Sequence, residues 1–317
     1  VYYLDLYGNP QLDTNISNNV FGNGISGKLS LSSAYQEGVY ISLSQTMIEE
    51  VLIPSSVTHI SYISFYGWIN ELIYKAPLKR LYIPDSVQTI GSISVSYCGN
   101  FEELYIPSTA QGLENLGLTG ARRLKELILP DEVLFTEIRQ LQFSSCTDLE
   151  RVVIPEGIKT IGSSAFSNCS SLREIVIPES VDYIGSSAFS GCSNLKTIAL
   201  PSSISSIESY TFNGCSLLQE IIIPEGVEEI GTGAFRDCKK LTEITLPSTL
   251  RIIGDEAFSD CPFLQVINNN SDLALTFAST SHGQVALNAN KIVLKDGSIL
   301  LKETEPIDYL EDENGFL

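Results

Sequence analysis

Residues 172–194 read LREIVIPESVDYIGSSAFSGCSN, and residues 149–171 read LERVVIPEGIKTIGSSAFSNCSS. The two stretches are one sentence written twice. An L-x-x-I-x-I-P segment is followed six residues after the proline by I-G-x-x-A-F-x-x-C. The opening apolar residue recurs at Leu78, Phe101, Leu124, Leu149, Leu172, Leu195, Leu218, Leu241 and Leu264. Every step is 23 residues except that from Leu124 to Leu149, which is 25. The proline recurs at Pro54, Pro84, Pro107, Pro130, Pro155, Pro178, Pro201, Pro224 and Pro247. The two extra residues lie between Pro130 and Ile138. A longer insertion, around INELIYKAP, follows Trp68 in the first repeat. Insertions of this kind fall in loops between stacked units.

The period dictates the architecture. L-x-x-I-x-I alternates over six residues with β-branched enrichment, which predicts a strand. Proline ends it, because it cannot donate to the next ladder position. The glycine after the second isoleucine is expected to permit a turn closed to most residues. The S-S-A-F-S-G-C segment is too short for a full helix and predicts a turn of helix or 3₁₀. One such coil cannot bury its own apolar side, whereas stacked coils can. At about 4.8 Å per strand, nine repeats would make a parallel sheet some ~40 Å long.

The motif resembles the leucine-rich repeat of BspA-like bacterial surface proteins, over about residues 48–267. The resemblance implies a right-handed leucine-rich repeat solenoid with a parallel β-sheet on the concave face and short 3₁₀, helical or irregular return segments. It also implies a protein secreted or displayed at the surface of an anaerobic, host-associated bacterium. Some members bind host matrix or plasma proteins, so a protein or glycoprotein such as fibronectin or fibrinogen is the implied partner. A passive spacer that displays another domain is the competing expectation.

The repeated cysteine raises a chemical question. Its slot is filled at Cys98, Cys146, Cys169, Cys192, Cys215, Cys238 and Cys261, by Ala121 in one coil and by Trp68 in the first. A nucleophile is needed once, beside a base, and here there are seven copies and only His59 and His282 in the chain. A metal needs ligands that converge on a point, whereas these stack along a line. Stacked positions fall within the Cα range of a disulfide, but side chains in register point the same way and suit its dihedral poorly. The remaining role is that of a small, buried core residue, which Ala121 can replace. The phenylalanine three residues earlier predicts a second buried ladder: Phe143, Phe166, Phe189, Phe212, Phe235 and Phe258, with Val95 and Leu118 in two coils.

The residues between the inward leucines and isoleucines are expected to face the open side of the sheet. The third strand position gives Arg80, Glu103, Glu126, Arg151, Glu174, Thr197, Glu220 and Glu243. The fifth gives Tyr82, Tyr105, Ile128, Val153, Val176, Ala199, Ile222 and Thr245. An acidic column beside an apolar one is therefore the candidate partner-binding surface, with Tyr82 and Tyr105 as its anchors. The plainer alternative is that these residues serve strand propensity and solubility.

Residues 1–47 break the repeat and read as an N-terminal β-rich cap. Residues 268–317 read as a C-terminal cap, with a β-hairpin over Lys291–Lys302 turning at Asp296-Gly297 and an acidic tail. The tail lacks EF-hand spacing and reads as solvated. The start at Val1 and the abrupt apolar end suggest a processed or trimmed piece of a longer protein, so missing targeting signals carry little meaning.

Composition narrows the functions. A net charge of −19 and a pI near 4.4 disfavour nucleic acid and anionic lipid surfaces. No run approaches the ~18 apolar residues of a membrane span. FGNG and GTG lack phosphate-loop spacing, and no acid–base pair or nucleophile emerges, so neither an enzyme nor a cofactor is expected.

Overall fold

A computed structural model of the chain describes residues 15–17, 26–30, 39–44, 47–67, 78–130, 133–277 and 284–302. Trp68, His282 and the acidic tail after residue 302 lie outside the described residues, as does most of the expected N-terminal cap.

The chain winds as a parallel β-solenoid. The L-x-x-I-x-I segments form a first column of strands that includes Met47–Leu52, Arg80–Tyr82, Glu103–Tyr105, Glu126–Ile128, Arg151–Val153, Glu174–Val176, Glu220–Ile221 and Glu243–Leu246. Register follows the repeat. Arg80 opposes Glu103, Glu126 opposes Arg151 and Arg151 opposes Glu174. After each strand the proline opens a β-turn, in which the Val181 N–H donates to the Pro178 carbonyl at 3.1 Å.

The turn delivers the chain to a second column of parallel strands that the sequence reading did not assign. It includes His59–Tyr66, Thr89–Ser96, Asn115–Gly117, Thr160–Ile161, Tyr183–Ile184 and Glu229–Ile230. In the later coils only two residues qualify, too few for a period-two signal. Strands Ser26–Ser30 and Val39–Ser44 pair in parallel with Met47–Leu52 and His59–Tyr66, and Asn15–Ser17 pairs in parallel with Val39–Ser44, so both columns continue toward the N-terminus. At the other end, Lys291–Leu294 adds in parallel to Val266–Asn269 and then pairs antiparallel with Ile299–Leu301. Gly297 at φ 81° closes that hairpin.

The return segment contains no helix. In residues 162–169 the N–H groups alternate between two destinations. Ser164, Phe166 and Asn168 donate to the next coil at Ser186, Ala188 and Ser190, 2.7–2.9 Å away. Ala165, Ser167 and Cys169 donate within their own coil, to Gly162, Ser164 and Phe166. A helix would spend every N–H along its own axis. Two left-handed residues per coil make the alternation possible, at Ser164 and Asn168 and again at Ser187 and Gly191.

The glycine of I-G has a different job from the one its position suggests. Gly162, Gly185, Gly231 and Gly254 do not adopt positive φ. Instead, a Cβ on Gly185 would lie 2.7 Å from the Ser163 nitrogen of the preceding coil, and one on Gly231 2.6 Å from that of Ser209. Close approach of stacked backbones, rather than turn conformation, excludes a side chain here.

Side chains from both columns and the return segment fill one continuous core. The phenylalanines stack as expected, with ring centroids 5.1–5.7 Å apart from Phe143 to Phe258. The coils come in two cross-sections. Toward the N-terminus the second-column strands are long: His59–Tyr66 and Thr89–Ser96 pair over most of eight residues. From residue 137 onward they shrink to two residues followed by turns and the phenylalanine.

Candidate partner-binding surface

In the first column, alternate residues point inward and lock the face. Leu81, Leu127, Val152 and Ile175 are buried, and the residues between them are held outward by the pleat. The fifth-position column is solvent-facing over most of its length: Tyr82 (50% exposed), Tyr105, Ile128 (57%), Val176 and Ile222 (73%). Val153 is half-buried between its neighbours. Tyr82 and Tyr105 stack at 4.6 Å with planes 9° apart, and the Tyr105 hydroxyl donates to Asp85 Oδ1 at 2.7 Å. That bond pushes the Tyr105 phenol above its ordinary value.

The third-position column is not simply acidic. Arg80 Nε lies 3.4 Å from Glu103, while Arg151 bridges Glu126 at 2.8 Å and Glu174 at 3.6 Å. The hydrogen bond that Arg151 donates to Glu126, with Glu174 beside it, raises the guanidinium above its ordinary value. The order over residues 80–174 is therefore Arg80, Glu103, Glu126, Arg151 and Glu174, two cations against three carboxylates, and Glu220 and Glu243 continue the column as carboxylates. Asn268 ends the column by donating to Glu243 Oε1 at 2.6 Å.

Strand register places Tyr82 beside Tyr105, and Ile128, Val153 and Val176 in one row. It does not bring the two groups together, since the ladder is interrupted between Tyr105 and Glu126. Leu52, opposite Tyr82 and exposed, extends the apolar column by one coil. Sequence reasoning omitted it because the insertion after Trp68 obscures the register.

The cysteine column lies inside. All seven cysteines are free and buried. Each thiol from Cys169 to Cys261 donates to the phenylalanine carbonyl of the preceding coil, as Cys192 does to Phe166 at 3.2 Å. Burial pushes the Cys192 thiol up to about 12. The cysteine thus fills a small slot in the core and donates to a carbonyl that the turn leaves exposed to the interior. Thiolate chemistry is suppressed there. Among the described residues no group of three or more His, Cys, Asp or Glu is placed to hold a metal ion, and no helix is long and apolar enough to cross a membrane.

Comparison with known proteins follows the same lines. Residues 69–196 and 136–265 match the BspA type leucine-rich repeat region, in six copies. A leucine-rich repeat protein of Treponema pallidum is similar at 32% identity, over 46% of this chain and 70% of that one, with a TM-score of 0.45. One from Bacteroides ovatus is similar at 22% identity, over 76% and 78%, with a TM-score of 0.44. A leucine-rich cell surface protein of Faecalibacterium prausnitzii is similar at 21% identity, over 78% and 90%, with a TM-score of 0.31. No curated protein matches the chain.

Proposed function

The chain belongs to the BspA-type leucine-rich repeat family, and from that premise we propose that it is a secreted or surface-displayed binding module that recognises a protein or glycoprotein through its first strand column. One observation carries the reading: exposed apolar residues of the first column, Tyr82 stacked on Tyr105 and then Ile128, Val176 and Ile222, stand in solvent beside charged residues. Single exposed apolar residues are ordinary, but a row rimmed by charge has the composition of a partner surface. The buried cysteines, used as core residues, fit a scaffold. Host matrix proteins are the partners the family suggests, and host-facing display at a bacterial surface is the setting.

The test is binding of the chain to immobilised fibronectin and fibrinogen, alongside a Val176→Glu, Ile222→Glu double variant with unchanged circular dichroism. Both residues are exposed, so the fold should survive the change. A drop in affinity of tenfold or more supports the reading. Binding that the variant retains moves the site off this face. A passive spacer is favoured by one feature, the exposed pairing of Arg80 and Arg151 with Glu103, Glu126 and Glu174, which a solvated strand face without a partner would also show. Absence of binding to either protein would put the spacer first.

A further inference from the structure

The first column splits at three places: between Tyr105 and Glu126, between Val176 and Thr197, and between Ile221 and Glu243, where the single bridge of Ile222 to Thr245 remains. Only the first falls where the coil changes cross-section, and a cleft opens there. Strand Glu103–Tyr105 ends one four-stranded sheet, and Glu126–Ile128 begins the next three-stranded one. Each turns a free edge toward the other. In a parallel strand the N–H and C=O of a residue point to the same side, and successive residues alternate. Glu103 donates back to Lys79 at 3.2 Å and the Tyr105 carbonyl accepts from Ile83 at 3.1 Å, so the main chain of Leu104 faces the gap. On the opposite wall, Lys125 accepts from Arg151 at 3.3 Å, which turns the main chain of Glu126 and Ile128 into the gap.

The opening has a cause in the chain. The coil from Leu124 carries the two extra residues, and the second-column strand contracts from Thr89–Ser96 through Asn115–Gly117 to Glu137–Ile138. Coils of different outline cannot stay in register on both faces. Leu104 and Ile106 are accordingly only half-buried, whereas their counterparts Leu81 and Ile83 are fully buried. The result is a cleft of about 460 Å³ with apolar walls at Leu104, Ile106 and Ile128, and with Glu102, Glu103 and Glu126 against Lys125 at its rim.

We propose that this cleft docks an extended segment of a partner polypeptide that carries lysine or arginine among apolar residues; this rests on the binding-module reading above. Two facing strand edges call for an occupant with both donors and acceptors along its length, which is what an extended main chain supplies. Three rim carboxylates against one lysine, in a chain of net charge −19, select a cationic segment. The arginines that pair with those carboxylates do so across exposed contacts: Arg123 with Glu102 at 3.3 Å, Arg80 with Glu103 and Arg151 with Glu126. Pairs of that kind are weak in water and yield to a ligand cation held in the cleft.

The probe is a fluorescein-labelled decapeptide of alternating lysine and valine, measured by anisotropy against the whole chain. A second peptide of the same sequence, N-methylated at alternate residues, keeps the charge and removes half the main-chain donors. We expect saturable binding, weakened tenfold or more by N-methylation and tenfold or more by Glu102→Lys with Glu126→Lys, and changed less than twofold by Val176→Glu with Ile222→Glu. Equal binding of the two peptides would reduce the effect to diffuse electrostatics and overturn the proposal. So would binding that the Glu102→Lys, Glu126→Lys variant keeps, or no binding at 1 mM peptide. Val176 and Ile222 lie outside the cleft lining, so failure here leaves the fibronectin and fibrinogen experiment to stand or fall separately.

Discussion

The phenylalanine ladder gives the strongest quantitative expectation, through Phe189→Ala. Phe189 is fully buried, with its ring 5.6 Å from Phe166 and 5.7 Å from Phe212 and the planes 6° apart on both sides. Removing some ~150 Å² of buried aromatic surface at about 25 cal/mol per Å² costs about 4 kcal/mol. The cavity cannot collapse, because neighbouring backbones are pinned: Phe166 donates to Ala188 at 2.8 Å and Phe189 to Thr211 at 2.9 Å. The two stacks are lost as well. The expected loss is thus at the upper end of the ~3–5 kcal/mol seen for such truncations. In a solenoid that loss is felt first by the coil and its two neighbours, so hydrogen exchange should localise it to residues 162–215. Urea unfolding followed by circular dichroism, with exchange mass spectrometry on the native protein, measures both. Phe189→Leu is the control and should cost about 1.5 kcal/mol or less, since Leu118 occupies this slot in another coil. A cost of ~1.5 kcal/mol or less for Phe189→Ala would refute the claim that the ladder is pinned and cannot close.

Two further outcomes follow from the stacking. Gly185→Ala should lower the urea midpoint more than Gly157→Ala, because the added Cβ meets backbone at 2.7 Å in the first case and nothing within 4 Å in the second; Gly157 suffers only from its φ of 94°. Equal costs would show that close approach does not decide the first position. The thiols should resist iodoacetamide in the folded protein at pH 8 and react fully in urea, because burial holds Cys192 near 12. The folded value is raised, so this contribution is complete below the ordinary thiol range, about 8.5, and drains as pH rises from there toward 12. Rapid native labelling of Cys192 would sink that account.

Much of this was legible because the 23-residue period fixes which residues oppose one another. Once Glu174 sits over Arg151, every column, including the phenylalanines and the cysteines, follows from position. What periodicity does not carry is any feature made by two adjacent coils acting on each other. The glycine of I-G looks like a turn residue in sequence, and only the distance from Gly185 to Ser163 gives the stacking reason. The return segment looks like a nascent helix until its alternate N–H groups are followed to the next coil. The acidic column looks uniform because Arg80 and Arg151 are two residues among eight, yet Arg151, set between Glu126 and Glu174, pairs with both.

The same reasoning locates where function can arise in a repetitive scaffold. A perfect repeat presents one surface many times and pairs every strand edge, so it offers a partner breadth but no unique address. An address needs a departure from the period. Here the departures coincide: the 25-residue step, the shrinking second-column strand and the missing ladder between Glu103–Tyr105 and Glu126–Ile128 all fall at one junction. Two coil shapes that cannot stay in register lose the ladder on both faces, with the bridge of Leu113 to Val133 left in the second column, and the cleft opens on the face that carries the exposed tyrosines. The irregularity that the sequence shows as two surplus residues is, in three dimensions, the place where a break in the ladder widens into a cleft.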